Sequence, residues 1–504
     1  MARKGIQKVK TGCTTCKIRK VKCDERRPQC LRCSSTGRKC DGYVPPPLGT
    51  YSWSHLIQPS LDAIQTTTSA ESHILSYFRQ VVAPSLAGPL DTYLWANIVV
   101  QVSSREAAAK HAVLAISSLY QSFHKDWAGF PHVTQEEAFV MRHYNEAIIH
   151  LRAASDQHTI LVVCMLFVCI EFMRGDHKRA IDHCRHGIHM LNRAPTETEF
   201  VREYMRPLFC RLSVFPYFFG ASPDTFPSLE YPSMDAKTSF STLADAHMAL
   251  NPLIARTVRF VRSADTYRLG LLPLPTQNFG IMKDRQVIDS SLDSWFVAFH
   301  FYKTHKASTL RDNKFMRMLE IRWLTCKIWL DTCFSKEESI YDTHLDKFRT
   351  IVDLANDATV LIDAANKHRQ PRVAFEIGFG PFLAFVVIKC RCLKLRITAL
   401  TLMKEISPPR EHCWDTSVLF ALGQRTIEIE HDLKLDLHMQ LDKIQHDVSL
   451  PPEEKRIRDS IMHLESGPLS GVEGIDMERQ MICFLMKDPS GDGIVNRDEP
   501  LTAS

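Results

Sequence analysis

The sequence predicts a mainly α-helical protein with a small cysteine-rich N-terminal domain, a proline-containing linker, a large all-helical domain and a tail that can form a short β-hairpin. Three observations predict this class. Six cysteines are concentrated between residues 13 and 40, apolar residues recur with a helical period from about residue 71, and no long alternating strand pattern occurs between 70 and 440. With 504 residues, of which 45% are hydrophobic and 24% charged, the chain can bury a large core.

The N-terminal cysteines follow the pattern C-x2-C-x6-C-x6-C-x2-C-x6-C, at Cys13, Cys16, Cys23, Cys30, Cys33 and Cys40. This is one C-x2-C-x6-C unit repeated after seventeen residues. A structural zinc site takes four ligands in a closed tetrahedron, so six thiolates serve two zinc ions only if two of them bridge. Cys13 and Cys30 are the symmetric choice for the two bridging thiolates, because each is the first cysteine of its half. Because so short a segment buries little apolar surface, metal binding should supply most of its folding free energy.

Disulfides are the alternative use of six cysteines. The N-terminus lacks the apolar stretch of a secretory signal, and the other ten cysteines are scattered singly through apolar segments, as buried reduced thiols are. We therefore expect two zinc ions in an intracellular protein. The longest apolar run, residues 160–170, is too short to cross a bilayer, so we expect no membrane partner.

Positive charge is concentrated in the cysteine segment. The net charge is +5, but residues 1–40 hold 13 lysines and arginines against Asp24 and Glu25, and the remainder holds 49 basic and 55 acidic residues. Four cations, Lys17, Arg19, Lys20 and Lys22, lie between the second and third cysteines. Cys13 and Cys16 pin one face of a short helix to the metal, so these cations should project away from it. Such cations can donate to guanine O6 and N7 in the major groove or neutralise phosphates.

The segment VKTGCTTCKIRKVKCDERRPQCLRCSSTGRKCDGY resembles the fungal binuclear zinc-cluster DNA-binding domain. This resemblance implies that two zinc ions share the six cysteines and that the carboxyl end of the first helix reads a CGG triplet. Lys20 matches the base-reading position, and Lys17, Arg19 and Lys22 match positions that contact bases marginally or phosphates. In the second half, Arg32, Arg38 and Lys39 resemble phosphate contacts. The alternative is that these cations form a solvated face or a nuclear-import signal.

We expect the zinc-cluster domain to cover residues 1–42 and a linker to cover residues 43–70, which contain three consecutive prolines. No sustained heptad pattern follows the cysteines, so a coiled coil is not indicated, although a homodimer stays open.

We expect a helical domain over residues 71–445. Ser103 to Glu106 has the spacing of a capping box before a helix, and Gly175 and Asp176 should end one helix and start the next in a tight hairpin. The stretches KHAVLAISSLY, HYNEAIIHLR, CIEFMRGDHKRAIDHCRHGIHML and LFCRLSVF resemble successive blocks of the fungal-specific transcription factor domain. Residues 378–415 resemble the closing blocks of that domain, except that His412 stands where the family has glycine. This resemblance implies an all-helical regulatory domain.

Residues 446–504 are expected to be a C-terminal tail. Asp488 to Glu499 fits the spacing of an EF-hand calcium loop, but Pro500 leaves no exiting helix. The alternative, which we favour, is a hairpin or a loose tail in which residues 481–486 form one strand.

His183, His186 and His189 could suggest a further metal site. Steps of three residues turn each histidine about 60° around a helix, so the three side chains converge poorly and ordinary histidines are favoured.

No phosphate-binding loop, dinucleotide fingerprint, zinc-protease motif or nucleophile elbow occurs, so we do not expect an enzyme. We expect a nuclear, zinc-dependent DNA-binding regulator of RNA polymerase II transcription, whose partners are double-stranded DNA and the transcription machinery or co-regulators. Two alternatives remain. One is a zinc-cluster interaction scaffold without sequence-specific DNA binding, and the other is an enzyme with the cluster as a targeting module.

Overall fold

A computed structural model describes residues 12–24, 26, 29–42, 69–88, 91–125, 133–154, 156–193, 198–230, 239–269, 272, 279–306, 309–360, 371–435, 450–463, 481–488, 491 and 493–500. The chain divides into two compact units, Met1–Ile57 and Gln58–Ser504. Most of the expected linker, residues 43–68, lies outside the described residues, so its extended conformation and the absence of a coiled coil stay predictions.

The first unit contains two short helices, α1 (Thr14–Ile18) and α2 (Leu31–Ser34). The helices of the second unit are α3 (Ser69–Tyr77), α4 (Ala83–Leu86), α5 (Val100–Arg105), α6 (Ala107–Lys125), α7 (Val133–Arg152), α8 (Gln157–Arg174), α9 (His177–Arg193), α10 (Arg206–Leu212), α11 (Leu243–Ser263), α12 (Asp265–Arg268), α13 (Phe279–His305), α14 (Leu310–Thr332), α15 (Leu345–Val360), α16 (Gly380–Lys389), α17 (Leu393–Ile406) and α18 (Thr416–His431). Wider π-helical turns occupy Phe78–Val82, Leu94–Val99 and Val201–Met205, and 3-10 turns occupy Phe215–Phe219, Glu338–His344 and Glu453–Lys455. The mainly α prediction is confirmed.

Helix α8 is at the centre of the largest core. Its sequence is apolar on all sides, and fourteen of its residues are buried. By length and composition α8 could cross a bilayer, yet 78% of it is buried inside the domain. Glu171, the charged residue in its buried part, accepts a 2.5 Å hydrogen bond from the Tyr144 hydroxyl and pairs with Arg174 at 3.1 Å. These contacts satisfy a carboxylate that would otherwise be costly to bury.

The predicted hairpin between α8 and α9 is confirmed. Gly175 ends α8 in the left-handed conformation with φ 72°, where a side chain would cost energy. The Asp176 carboxylate then accepts a 3.0 Å hydrogen bond from the Arg179 amide and starts α9. The prediction that Ser103 opens α6 is wrong, because Ser103 belongs to α5 and its hydroxyl donates to the Val100 carbonyl.

Within the described residues, two three-stranded sheets accompany the helices. The first joins two-residue strands, β1 (Val373–Ala374), β2 (Arg410–Glu411) and β3 (Trp414–Asp415), with β1 parallel and β3 antiparallel to β2. The second is an antiparallel meander of β4 (Ile457–His463), β5 (Met481–Lys487) and β6 (Ile494–Pro500).

The C-terminal sheet contains the expected hairpin, formed by β5 and β6, and packs on α18. Ile457, Ile482 and Phe484 share a core with Val418, Leu422 and other apolar side chains of that helix. Glu499, the last ligand position of the alternative calcium loop, is instead bound by Arg425 at 3.0 Å. This ion pair occupies the carboxylate that calcium would need.

A buried ion network joins α16, α17 and α18. Glu430 lies 3.1 Å from Arg391 and 2.7 Å from Arg396, and Glu338 lies 3.0 Å from Arg391 and 2.9 Å from Lys389. Arg391 and Arg396 lower the pKa of Glu430 against the opposing effect of its burial. Lys389, Arg391 and Arg396 therefore hold helices together through their ion pairs.

Candidate metal centre and nucleic-acid interface

The repeated cysteine pattern produces two similar helical turns. Cys13 is the N-cap of α1 and its sulfur accepts a 3.3 Å hydrogen bond from the Cys16 amide. Cys30 caps α2 in the same way, with a 3.3 Å hydrogen bond from the Cys33 amide. A C-x2-C spacing therefore places two sulfurs at the first turn of each helix, both facing the interior.

The six sulfurs form two groups of four that share two members. In each group, Cys13-Cys16-Cys23-Cys30 and Cys13-Cys30-Cys33-Cys40, all sulfurs lie within 4.8 Å of one another. The Cys13 and Cys30 sulfurs are 3.6 Å apart, Cys16 and Cys30 are 3.7 Å apart, and Cys13 and Cys33 are 3.8 Å apart. Four thiolates about 2.3 Å from one zinc would be separated by about 3.8 Å in a tetrahedron, so the spacing fits two metal ions bridged by Cys13 and Cys30.

Ionisation of these sulfurs needs a cation. All sixteen cysteines of the chain are reduced thiols, and the six in this cluster are buried. Burial raises the pKa of Cys13 to about 12, and it also raises the pKa of Cys16 and of Cys30. The thiols of Cys13, Cys16 and Cys30 therefore favour the protonated form on their own, whereas backbone hydrogen bonds lower the pKa of Cys40. A soft dication would displace the protons and hold the sulfurs as thiolates.

Polar contacts that sequence reasoning missed close the segment around the sulfurs. The Asp24 carboxylate accepts 2.9 Å hydrogen bonds from the Leu31 and Arg32 amides at the start of α2. These bonds, that of Arg32 foremost, lower the pKa of Asp24. The Thr15 hydroxyl donates to the Asp41 carboxylate at 2.8 Å, which ties the end of the segment to α1. No short-range signal identifies either pair, since the partners are seven or more residues apart.

The predicted DNA-contacting cations surround this cluster. Lys17, Lys20 and Lys22 are exposed at and beyond the end of α1, and Arg32, Arg38 and Lys39 are exposed in and after α2. Arg19 is half-buried and donates a 3.4 Å hydrogen bond to the Thr36 hydroxyl, which connects the two halves.

Lys20 has an unusual backbone conformation. Its φ of 54° is left-handed, and α1 ends there with hydrogen bonds from the Lys20 amide to Lys17 O and from the Val21 amide to Cys16 O, both 3.1 Å. This is the Schellman arrangement that usually carries glycine. The second half ends α2 in the same way, and there Gly37 occupies the equivalent position with φ 63°.

The helical unit holds another group of metal-ligating side chains. Ligand atoms of His111, Glu146 and His150 lie within 4.8 Å of one another, and His111 Nδ1 is 2.8 Å from His143 Nδ1. His183 is one of the three histidines considered from the sequence as a metal site, and its Nε2 lies 3.1 Å from the Tyr144 hydroxyl.

Comparison with known proteins adds two family matches. Residues 11–48 match the fungal Zn(2)-Cys(6) binuclear cluster domain, and residues 73–363 match the fungal specific transcription factor domain. No solved structure matched the chain.

Several curated proteins are similar. The aspercryptin biosynthesis cluster-specific transcription regulator atnN of Emericella nidulans is 24% identical over 408 residues, which are 70% of this chain and 64% of that protein. The Zn(2)-C6 fungal-type transcription factor afumD of Aspergillus fumigatus is 30% identical over 138 residues, 25% of this chain and 36% of that protein. The transcriptional regulatory protein moc3 of Schizosaccharomyces pombe is 54% identical over 37 residues, 7% of either chain. The matched part thus spans less than two thirds of each of these relatives.

Proposed function

The chain belongs to the fungal-specific transcription factor family with an N-terminal Zn(2)-Cys(6) cluster, and we propose that it is a zinc-dependent, sequence-specific DNA-binding regulator of RNA polymerase II transcription in the nucleus. The observation that carries this proposal is the pair of four-sulfur groups sharing Cys13 and Cys30 inside an exposed shell of cations. The family's members are transcription factors rather than enzymes.

Two zinc ions would be held by Cys13, Cys16, Cys23, Cys30, Cys33 and Cys40. Bound zinc would supply positive charge and cross-link the segment. Its role would be structural, because four thiolates leave it no open position for catalysis. Other contacts then position the helices. The Cys13 and Cys30 caps fix the starts of α1 and α2, and Asp24 holds the connection between the halves against α2.

Lys20 is proposed to read bases. It is exposed where α1 ends, so its ammonium can enter a major groove without disturbing the sulfurs. An ammonium there donates to guanine O6 and N7, which supports a preference for the CGG triplets implied by the family resemblance.

The remaining cations are proposed to position the unit on phosphates. Lys17, Lys22, Arg32, Arg38 and Lys39 are exposed, and each true phosphate contact should steepen the dependence of log K on log salt by about 0.9. Arg19 has its hydrogen bond to Thr36, so its contribution to DNA contact should be smaller.

The helical part, proposed as residues 71–445 with a linker at 43–70 and a C-terminal segment at 446–504, would serve regulation through the transcription machinery or co-regulators. A homodimer on paired sites is compatible with this arrangement, and no membrane partner is proposed.

Selection of preferred sites from a random duplex library, with zinc-loaded full-length protein at near-physiological salt, tests the proposal. Enrichment of CGG triplets supports it, and their spacing reports whether one or two copies bind. In matched variants, Lys20→Ala should lose affinity for the enriched site alone, whereas Lys22→Ala should weaken all duplexes equally. No enrichment by the zinc-loaded protein would refute sequence-specific reading and favour the scaffold alternative.

A further inference from the structure

The helical unit encloses a large cavity of about 1140 Å³. Its lining comes from α9, α10, α11, α14, α16 and the C-terminal sheet, and its walls are largely apolar and aromatic, with Ile181, Val258, Phe218, Trp329, Phe385 and Trp414 among them. Cavities that bind small molecules typically measure about 300–1,000 Å³ and combine apolar walls with a few polar groups, so this one has the size and character of a ligand site.

Four polar atoms in the lining have no hydrogen-bond partner among the described residues. They are Arg322 Nε, Asn251 Nδ2, His177 Nδ1 and Arg458 Nε. Arg322 and Asn251 are only 6% and 4% exposed. Buried donors are almost always hydrogen-bonded, so these unused atoms point to a group that binds there.

Arg322 forms no ion pair among the described residues. Burial lowers its pKa, and the Glu376 and Glu411 carboxylates oppose that effect without pairing with it. Its Nη1 lies 3.2 Å from His247 Nε2, and its Nη2 donates to the Ile377 carbonyl. His247 does not supply charge, because burial keeps the pKa of its ring well below the usual value. A guanidinium stays charged in proteins and is rarely buried unpaired, so an anion is the missing partner.

The donors lie near one another. Arg322 contacts His247, and Asn251 follows His247 by one helical turn on the same face of α11. His177 and Arg322 are both close enough to His412 to lower its pKa, after the larger effect of burial. Arg322, Asn251 and His177 therefore lie in the same region of the cavity.

Several other charged lining residues form ion pairs within the protein. Arg211 pairs with Asp91 and lies 2.7 Å from Glu376, Arg268 lies 3.1 Å from Asp265, and Lys389 pairs with Glu338. Arg458 Nε has no hydrogen bond among the described residues, but Arg458 has an acidic neighbour, because it helps Lys487 lower the pKa of Glu337 against the effect of burial. The nearby Glu411 accepts hydrogen bonds from two backbone amides, Gly378 at 2.6 Å and Gly380 at 3.3 Å.

We propose that this cavity binds a small organic acid with an apolar, aromatic-sized body and one carboxylate, held by Arg322 and Asn251 with His177 as a further donor. One unpaired guanidinium balances a monoanion, whereas a phosphate dianion would bring an uncompensated negative charge into the interior. The proposal concerns binding by the helical unit and does not depend on how the cysteine unit reads DNA.

Calorimetric titration of the zinc-loaded full-length protein tests this proposal with three probes of one shape: 2-naphthoate, 2-naphthamide and 2-naphthyl phosphate. The carboxylate should bind at least about tenfold more tightly than the amide, because it alone offers a charged acceptor to Arg322. Arg322→Gln should remove this preference, and Asn251→Ala should reduce it. Arg262→Gln is the matched control, since Arg262 lines the cavity but pairs with Asp265 at 2.8 Å, and it should keep the preference.

Because Arg322→Gln removes native contacts, its folding is checked by thermal unfolding, and Ile254→Trp provides a second variant that adds bulk to the cavity wall one helical turn from Asn251. Ile254→Trp should weaken naphthoate binding at an unchanged unfolding temperature. Equal affinity for acid and amide, tighter binding of the phosphate, or an unchanged naphthoate affinity in Ile254→Trp would each overturn the proposal. Absence of binding by all three probes at millimolar concentration would overturn it as well.

Discussion

Replacing Lys20 with glycine separates the role of its backbone from that of its side chain. Lys20 holds a left-handed conformation, φ 54°, which costs a residue with a side chain about 1–2 kcal/mol. Glycine removes this strain but gains about 0.4–1 kcal/mol of conformational freedom in the unfolded chain. Lys20→Gly should therefore leave the stability of the zinc cluster unchanged or raise it by about 1 kcal/mol.

The same substitution should damage DNA recognition. It removes an exposed ammonium whose loss should cost about 1–3 kcal/mol at the preferred site, or roughly a 5- to 150-fold increase in Kd. Fluorescence anisotropy with the selected duplex and with a scrambled duplex measures both affinities, and competition with a chelator measures how firmly the cluster keeps its zinc.

The internal repeat provides the matched control. Gly37→Lys places an ammonium at the equivalent position of the second half, where the added Cβ would meet nothing within 4 Å, so it should cost only the backbone strain and bring no base preference. If Lys20→Gly keeps full discrimination between the duplexes, Lys20 does not read bases. If it loses zinc more readily, the strain argument is wrong.

Three further perturbations test other parts of the molecule. A chelator should unfold the cysteine segment and abolish DNA binding, while circular dichroism keeps most of its helical signal; retained DNA binding would contradict a zinc-folded cluster. In Gly187→Ala the new Cβ would overlap the Phe209 ring, so the free energy of unfolding should fall by about 1–3 kcal/mol, whereas Gly491→Ala, which faces open space, should leave the denaturation midpoint in place. Burial raises the pKa of Glu411 from 4.5 to about 7, so the folded state holds this proton more tightly than the unfolded chain. The contribution of Glu411 to stability is therefore lost as pH rises from about 4.5 to 7. Glu411→Gln should reduce the slope of the free energy of unfolding against pH over that range by the equivalent of about one proton, and an unchanged slope would exclude this carboxyl as the source.

Sequence predicts well the features that depend on residues close to one another in the chain. The spacing of Cys13 and Cys16 predicts the short helix α1, and Gly175 and Asp176 stop and start helices within one turn. Such signals work because each cap or turn joins groups at most a few residues apart, so the chemistry of the residue is enough to assign the local conformation.

The features that sequence misses depend on long-range packing. Ser103 has the spacing of a capping box, yet the preceding residues continue as a helix and its hydroxyl bonds backward to Val100. Asp24 reaches α2 across seven residues. Sequence does not predict that Arg322 Nε is buried without a partner, because an arginine in a helical pattern ordinarily indicates an exposed face. Its burial results from the packing of several distant segments.

The left-handed residues show where side chains are retained at an energetic cost. Among described residues other than glycine, Lys20, His412 and Asp432 have positive φ. Aspartate and histidine tolerate this conformation comparatively well, but lysine has no such tendency. The second half of the cluster places Gly37 at the matching position, so a lower-strain solution exists within the same chain. A lysine kept where glycine would relax the backbone implies that its side chain has a use outside the fold, and an exposed ammonium at the end of α1 suits a contact with DNA.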